Sequence, residues 1–159
     1  MNREAIFSDG TAEYRIPMEP ETGETVRIIL RTARDDADYA WLRADEDDRV
    51  VMRKFRADEQ FDYYQTEIRM GEASFAYYFE VKSGPEIVYL DRFGVSEDIR
   101  PQYRFCICPG FSTPEWAKGA VMYQILVDRF ANGDKENDVL NNAYHYISRH
   151  VHHVDDWER

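Results

Sequence analysis

Residues 75–81 read FAYYFEV, and they decide the fold. Phe75, Tyr77, Phe79 and Val81 alternate with Ala76, Tyr78 and Glu80, which is the two-residue period of a strand with one face in a core. Shorter runs of the same kind surround it. Tyr14 and Ile16 alternate with Glu13 and Arg15; Val26, Ile28 and Leu30 are interleaved with Arg27 and Ile29. Tyr39 and Trp41 precede the acids 45–48, and residues 87–90 and 103–108 add two more apolar stretches. Between the runs lie Asp9-Gly10, Glu21-Thr22-Gly23, Met70-Gly71 and Ser83-Gly84-Pro85, all turn formers. Short strands, regular turns and no long amphipathic helix predict an all-β antiparallel sandwich of roughly 100 residues.

The pattern changes at residues 109–114, PGFSTP, where two prolines and a glycine mark a domain boundary. Thr113 and Pro114 suit the cap and first position of a helical turn over Glu115, Trp116, Ala117 and Lys118. Residues 120–127, AVMYQILV, are then almost wholly apolar, as is a parallel strand covered on both faces. Such a strand needs hydrogen-bonded neighbours. Only 46 residues follow Thr113, whereas a βα barrel takes about 250. The expectation is a sandwich over 1–113 and the incomplete start of a larger unit over 114–159.

Composition sets outer limits. The chain has 159 residues, 43% hydrophobic and 14% aromatic, enough to build a core despite a net charge of −11. The acidity argues against nucleic acid, whose binding draws on a basic surface, and against an anionic membrane. No apolar run reaches the roughly 20 residues of a spanning helix, and the first ten residues lack a signal-peptide core. A cytoplasmic protein is expected. Cys106 and Cys108 would share one face of a strand, about 6.7 Å apart along it, at the far edge of disulfide geometry. They read as two reduced thiols, without the further Cys or His that a metal site takes.

Three clusters suggest chemistry. Residues 128–138, DRFANGDKEND, are rich in oxygen ligands of the type that hard cations take. An EF-hand would place ligands at Phe130 and Val139, so that motif fails, and on composition alone an ordinary polar turn around Asn132-Gly133-Asp134 is the better reading. All four histidines, His145, His150, His152 and His153, crowd into the last fifteen residues, with no helical ligand spacing; a solvated terminal segment accounts for them. Trp41, Tyr63, Tyr64, Tyr78 and Trp116 include candidate sugar-stacking rings, with Trp41, Tyr63 and Tyr64 foremost, although most aromatic residues are expected in the core. No nucleophile triad, phosphate loop or redox pair is present.

Residues 113–138, TPEWAKGAVMYQILVDRFANGDKEND, closely resemble the entry into the catalytic barrel of the alpha-amylase family of glycoside hydrolases, in its neopullulanase, cyclomaltodextrinase and maltogenic amylase branch. Residues 4–10 (EAIFSDG), 61–68 (FDYYQTEI) and 75–81 resemble that branch's N-terminal immunoglobulin-like β-sandwich, a starch-binding-type module. The resemblance implies that residues 120–127 are the first barrel strand. It implies that Asn132, Asp134, Asn137 and Asp138 are calcium ligands, to be completed by a glycine carbonyl and an aspartate beyond Arg159. Val139 departs from the pattern, which has proline there. Tyr123, within the matching segment, joins the sugar-contact candidates.

The implied parent enzyme hydrolyses α-1,4 and some α-1,6 glucosidic bonds with retention, through two carboxylates about 5 Å apart. Its catalytic aspartate, glutamate and second aspartate lie on later strands, so this chain is expected to be inactive. Implied partners are an α-glucan or cyclodextrin, and a second subunit in a homodimer formed through the N-terminal domain. The chain reads first as the N-terminal region of such a hydrolase. The alternatives are a standalone carbohydrate-binding module and a purely structural, dimer-forming domain; the apolar run at 120–127 favours the first. Four candidate residues fall short of the six to eight oxygens calcium takes, so weak or absent calcium binding is expected. An unpaired apolar strand is expected to be poorly ordered, paired between molecules or domain-swapped.

Overall fold

The computed structural model describes residues 1–44, 48–126 and 130–152. It divides into two compact units, Met1–Glu115 and Trp116–Arg159.

The first unit is two antiparallel sheets. Strands β1 (Arg15–Ile16), β2 (Thr25–Ala33), β5 (Arg53–Ala57) and β6 (Phe61–Arg69) form a four-stranded sheet in the order β1-β2-β6-β5. The six-stranded sheet has β4 (Arg49–Val51), β3 (Tyr39–Arg43), β7 (Phe75–Ser83), β8 (Glu86–Asp91) and β9 (Gly94–Ser96) in that order, with β10 (Phe105–Ile107) also paired to β7. The all-β immunoglobulin-like expectation is met. Alternation decides which side chains meet between the sheets. From β2 these are Val26, Ile28 and Leu30; from β3 Ala40 and Leu42; from β7 Tyr77, Phe79 and Val81; from β8 Val88 and Leu90; from β10 Phe105 and Ile107, all in one buried cluster. The Tyr77 ring lies against Phe105, with centroids 5.3 Å apart, and meets Phe79 edge-on.

Two-residue closure of β7 onto β8 rests on Gly84, whose φ of +54° costs a glycine little. Four strands have no clear period-2 signal: β4, β5, β6 and β9. In β6 the reason is specific. Asp62 takes an inward position and is fully buried, because Lys54 Nζ donates to its Oδ2 at 2.6 Å and the Asp35 amide donates at 2.8 Å.

In the second unit the strand expected over 120–127 is not seen among the described residues. Residues 120–126 lie outside regular structure, and Val121, Met122 and Tyr123 are exposed; Val127 lies outside the described residues. No strand among the described residues pairs with the run, so its backbone groups have no ladder to join. The histidine-rich end is more structured than expected. β11 (His145–Tyr146) pairs with β12 (Arg149–His150) across a turn in which Ile147 and Ser148 both have positive φ. His153 lies outside the described residues. Among the described residues no helix is long and apolar enough to cross a membrane.

Candidate functional site: an aromatic platform on the six-stranded sheet

Strand β3 sends Ala40 and Leu42 into the core, so Tyr39 and Trp41 stand together on its outer face. Their rings stack with centroids 5.3 Å apart and planes 15° from parallel. Tyr39 is 56% exposed. Across β4, Trp41 is in register with Val51, which is 60% exposed. The result is a partly exposed apolar patch in which each ring covers one face of the other.

On the opposite side Trp41 is in register with Glu80 of β7. Glu80 points to the outer face by alternation, yet it is only 1% exposed. Arg43 donates to its Oε2, and Arg49 Nη2 lies 3.0 Å from Oε1. The Arg49 guanidinium also sits 5.4 Å from the Trp41 ring centroid, and that of Arg43 5.9 Å from the Tyr78 ring. Both carboxylate oxygens therefore have a cationic partner, which is the condition for keeping a charge dry. This ion cluster anchors Arg49, whose guanidinium lies over the Trp41 ring. The chemistry available is stacking of an apolar sugar face, with hydroxyl groups accepting from Arg49.

The other sugar candidates are separated from it. Tyr63 stands on the outer face of the four-stranded sheet, in a groove of about 440 Å³ lined with Glu13, Tyr14, Arg27, Ile29, Phe55 and Arg56. Its own ring face is covered, since the Arg56 guanidinium lies 3.8 Å from the centroid. Its hydroxyl donates to Asp58 at 3.1 Å. The Gln60 and Phe61 amides donate to the same carboxyl and hold it below the usual carboxylate range. Tyr64, the next residue, faces the core and donates to the Ala37 carbonyl at 3.2 Å. Alternation along β6 forbids both tyrosines from sharing a surface, so Tyr64 is removed from the sugar candidates. Tyr78 is buried likewise. Tyr123 and Trp116 belong to the second unit, both strongly exposed.

Sequence reading found Trp41 but assigned Tyr39, Arg43, Arg49 and Glu80 no part beside it. The signal for Tyr39 was its two-residue spacing from Trp41. For Glu80 it was a lone acid in an aromatic strand.

The oxygen-rich turn of the second unit is partly self-bonded. Asn132 Nδ2 donates to Asp138 Oδ1 at 2.7 Å, and the Asp134 amide donates to Asn132 Oδ1 at 3.2 Å. Asp134 Oδ1 accepts from the Glu136 amide at 2.9 Å, capping the 3-10 turn Lys135–Asn137 that contains Asn137. Asn132, Asp134, Asn137 and Asp138 carry oxygens of the type calcium takes, but among the described residues no three His, Cys, Asp or Glu side chains gather as metal ligands.

Comparison with known proteins identifies this framework. The family model described as "Alpha amylase, N-terminal ig-like domain" matches residues 1–108. A cyclomaltodextrinase from Thermoanaerobacter pseudethanolicus is 31% identical, over 89% of this chain and 27% of its own length. Neopullulanase 2 of Thermoactinomyces vulgaris is 35% identical over 85% of this chain and 25% of its own. A solved cyclomaltodextrinase structure superposes with a TM-score of 0.56 at 29% identity, covering 89% of this chain and 26% of that one. The chain thus spans about a quarter of the length of these relatives. It belongs to the family of alpha-amylase N-terminal immunoglobulin-like domains.

Proposed function

We propose that the chain is the N-terminal region of a retaining α-glucan hydrolase acting on α-1,4 and α-1,6 glucosidic bonds of starch-like or cyclic maltooligosaccharides, and that its own share of the work is to hold α-glucan on the Tyr39–Trp41 platform. The observation that carries this reading is the stacked ring pair, with Tyr39 56% exposed, Trp41 partly buried and Arg49 over the Trp41 ring. Rings already held in place lose little freedom on binding. Titration calorimetry of the chain with maltoheptaose and β-cyclodextrin tests it. Binding in the millimolar range or tighter is expected, lost in Trp41→Ala and weakened in Tyr39→Ala. No heat at millimolar ligand would sink it.

A second reading keeps the face and changes its occupant. Val51 beside the rings extends the apolar surface, which suits contact with a partner subunit in a homodimer. Sedimentation of wild type against Trp41→Ala separates the two. In the longer protein, Asn132, Asp134, Asn137 and Asp138 would supply part of a calcium site, and the free thiols Cys106 and Cys108 suit the reducing cytoplasm.

A further inference from the structure

Strand β10 carries the sequence Phe105-Cys106-Ile107, followed at once by Cys108. Phe105 and Ile107 are core residues, so alternation places both cysteines on the outer side, where both are exposed. Their sulfurs lie 4.0 Å apart. Spacing alone did not require this, because side chains two residues apart on a strand can lean away from each other.

The separation decides between two uses of a dithiol. A disulfide would have to draw the sulfurs in to about 2.05 Å. Residues i and i+2 of an extended strand have their Cα atoms about 6.7 Å apart, at the upper end of what a disulfide spans. A shared metal ion needs no such closure. Two metal–sulfur bonds of about 2.3 Å reach across about 3.8 Å at a tetrahedral angle and about 4.6 Å in a straight line. The observed gap falls between these.

The surroundings narrow the ion. Zinc in a structural site takes four ligands, and among the described residues no third His, Cys, Asp or Glu joins a metal-binding group here. The missing Cys and His rule out the four-ligand site, as the sequence leads one to expect, but two thiolates without further donors suit a soft ion of low coordination number. The neighbourhood acts on the pair in both directions. The Ser74 hydroxyl donates toward Cys108 Sγ at 3.5 Å, and Arg15 Nη1 donates to the Cys106 carbonyl at 3.4 Å. Burial and the neighbouring Cys108 thiol raise the Cys106 thiol above its ordinary value, with the charges of Arg15 and Arg92 opposing that shift, so the ion has to displace both protons.

We propose that Cys106 and Cys108 form a two-thiolate site for one soft monovalent ion of the copper(I) class. Binding replaces two S–H protons by one ion: two thiols and one cation give a bis-thiolate complex of charge −1 and two protons in solution, with no change of oxidation state. It is independent of what the aromatic platform binds.

The test is competition for copper(I), added anaerobically to the reduced chain, against bicinchoninate, with Cys106→Ser and Cys108→Ser alongside. Both positions are exposed and serine is close in size, so the variants keep the fold; far-ultraviolet circular dichroism checks this. The expected result is one ion per chain, with affinity falling roughly 100-fold or more in either single variant, as for loss of one arm of a bivalent grip. Wild-type affinity in either variant, or two independent ions on the wild type, would overturn the site.

Discussion

Two apolar runs in this chain have opposite fates. Residues 26–30, VRIIL, lie inside β2, where Val26, Ile28 and Leu30 are wholly buried. Residues 120–126, AVMYQIL, are more apolar, yet Val121 is 96% exposed. The difference lies in the backbone. β2 is paired with β6 from Thr25↔Arg69 to Ala33↔Phe61, and with β1 on its other side. The later run has no paired strand among the described residues. Apolarity says what gains from burial; available ladder partners decide whether burial can happen without stranding N–H and C=O groups.

Truncating one core side chain in each region tests this most strongly. Phe79→Ala should cost about 3–5 kcal/mol in urea unfolding, because Phe79 is fully buried between Leu42, Leu90, Phe105 and their neighbours. Met122→Ala should change stability by less than about 0.5 kcal/mol. Equal costs would break the contrast, since they would mean that residues 120–126 are packed in solution as tightly as the sandwich.

The same contrast explains what could be read from the sequence. β7 was legible because its inward residues, Phe75, Tyr77, Phe79 and Val81, are all apolar. β6 was not, because Asp62 takes an inward position and consecutive tyrosines blur the period; the ion pair with Lys54 that makes this tolerable is a tertiary fact. β4 and β5 carry Arg49, Arg53, Lys54 and Arg56 and are largely exposed, so no apolar face announces them. At the candidate site, Trp41 was legible by residue type. Its support by Glu80 was not, since an acid in an outward position ordinarily reads as solvated. Residues 120–127 have the composition of a strand, and the sequence already shows that this chain brings them no partner; among the described residues 120–126 none is paired.

Glu80 sharpens the comparison from the polar side. Its carboxylate is tolerated in the paired region because Arg43 and Arg49 meet it. Glu80→Ala leaves the Arg43 guanidinium buried without that partner and should cost about 3 kcal/mol. Removing Glu86 from its more exposed pairings with Arg3 and the N-terminal amine should cost far less. Equal losses for the two would mean that the buried cluster is as well hydrated as the surface pair. Trp41 offers a second readout, since loss of Glu80 should release Arg49 and shift the indole fluorescence.

The smallest effect appears only in alkali. Burial of Tyr77 between the sheets pushes its hydroxyl up to about 12, with nearby Arg15 opposing the shift. The unfolded chain loses that proton near pH 10, whereas the folded chain keeps it. The stabilisation is therefore fully present below pH 10 and is lost as pH rises toward 12, by roughly 2–3 kcal/mol at about 1.4 kcal/mol per tenfold change. Tyr14, Tyr64 and Tyr89 shift in the same direction, so the wild-type loss is shared and the variant isolates one part of it. Among the described residues Tyr77 Oη has no hydrogen bond of good geometry and only the nearby Arg15 guanidinium acts on it, so Tyr77→Phe should be close to neutral at pH 7. In urea titrations at pH 8, 10 and 11.5 its stability should fall less steeply than that of the wild type. Superimposable curves would show that Tyr77 is reached by water, and that the paired region is less dry than its contrast with residues 120–126 requires.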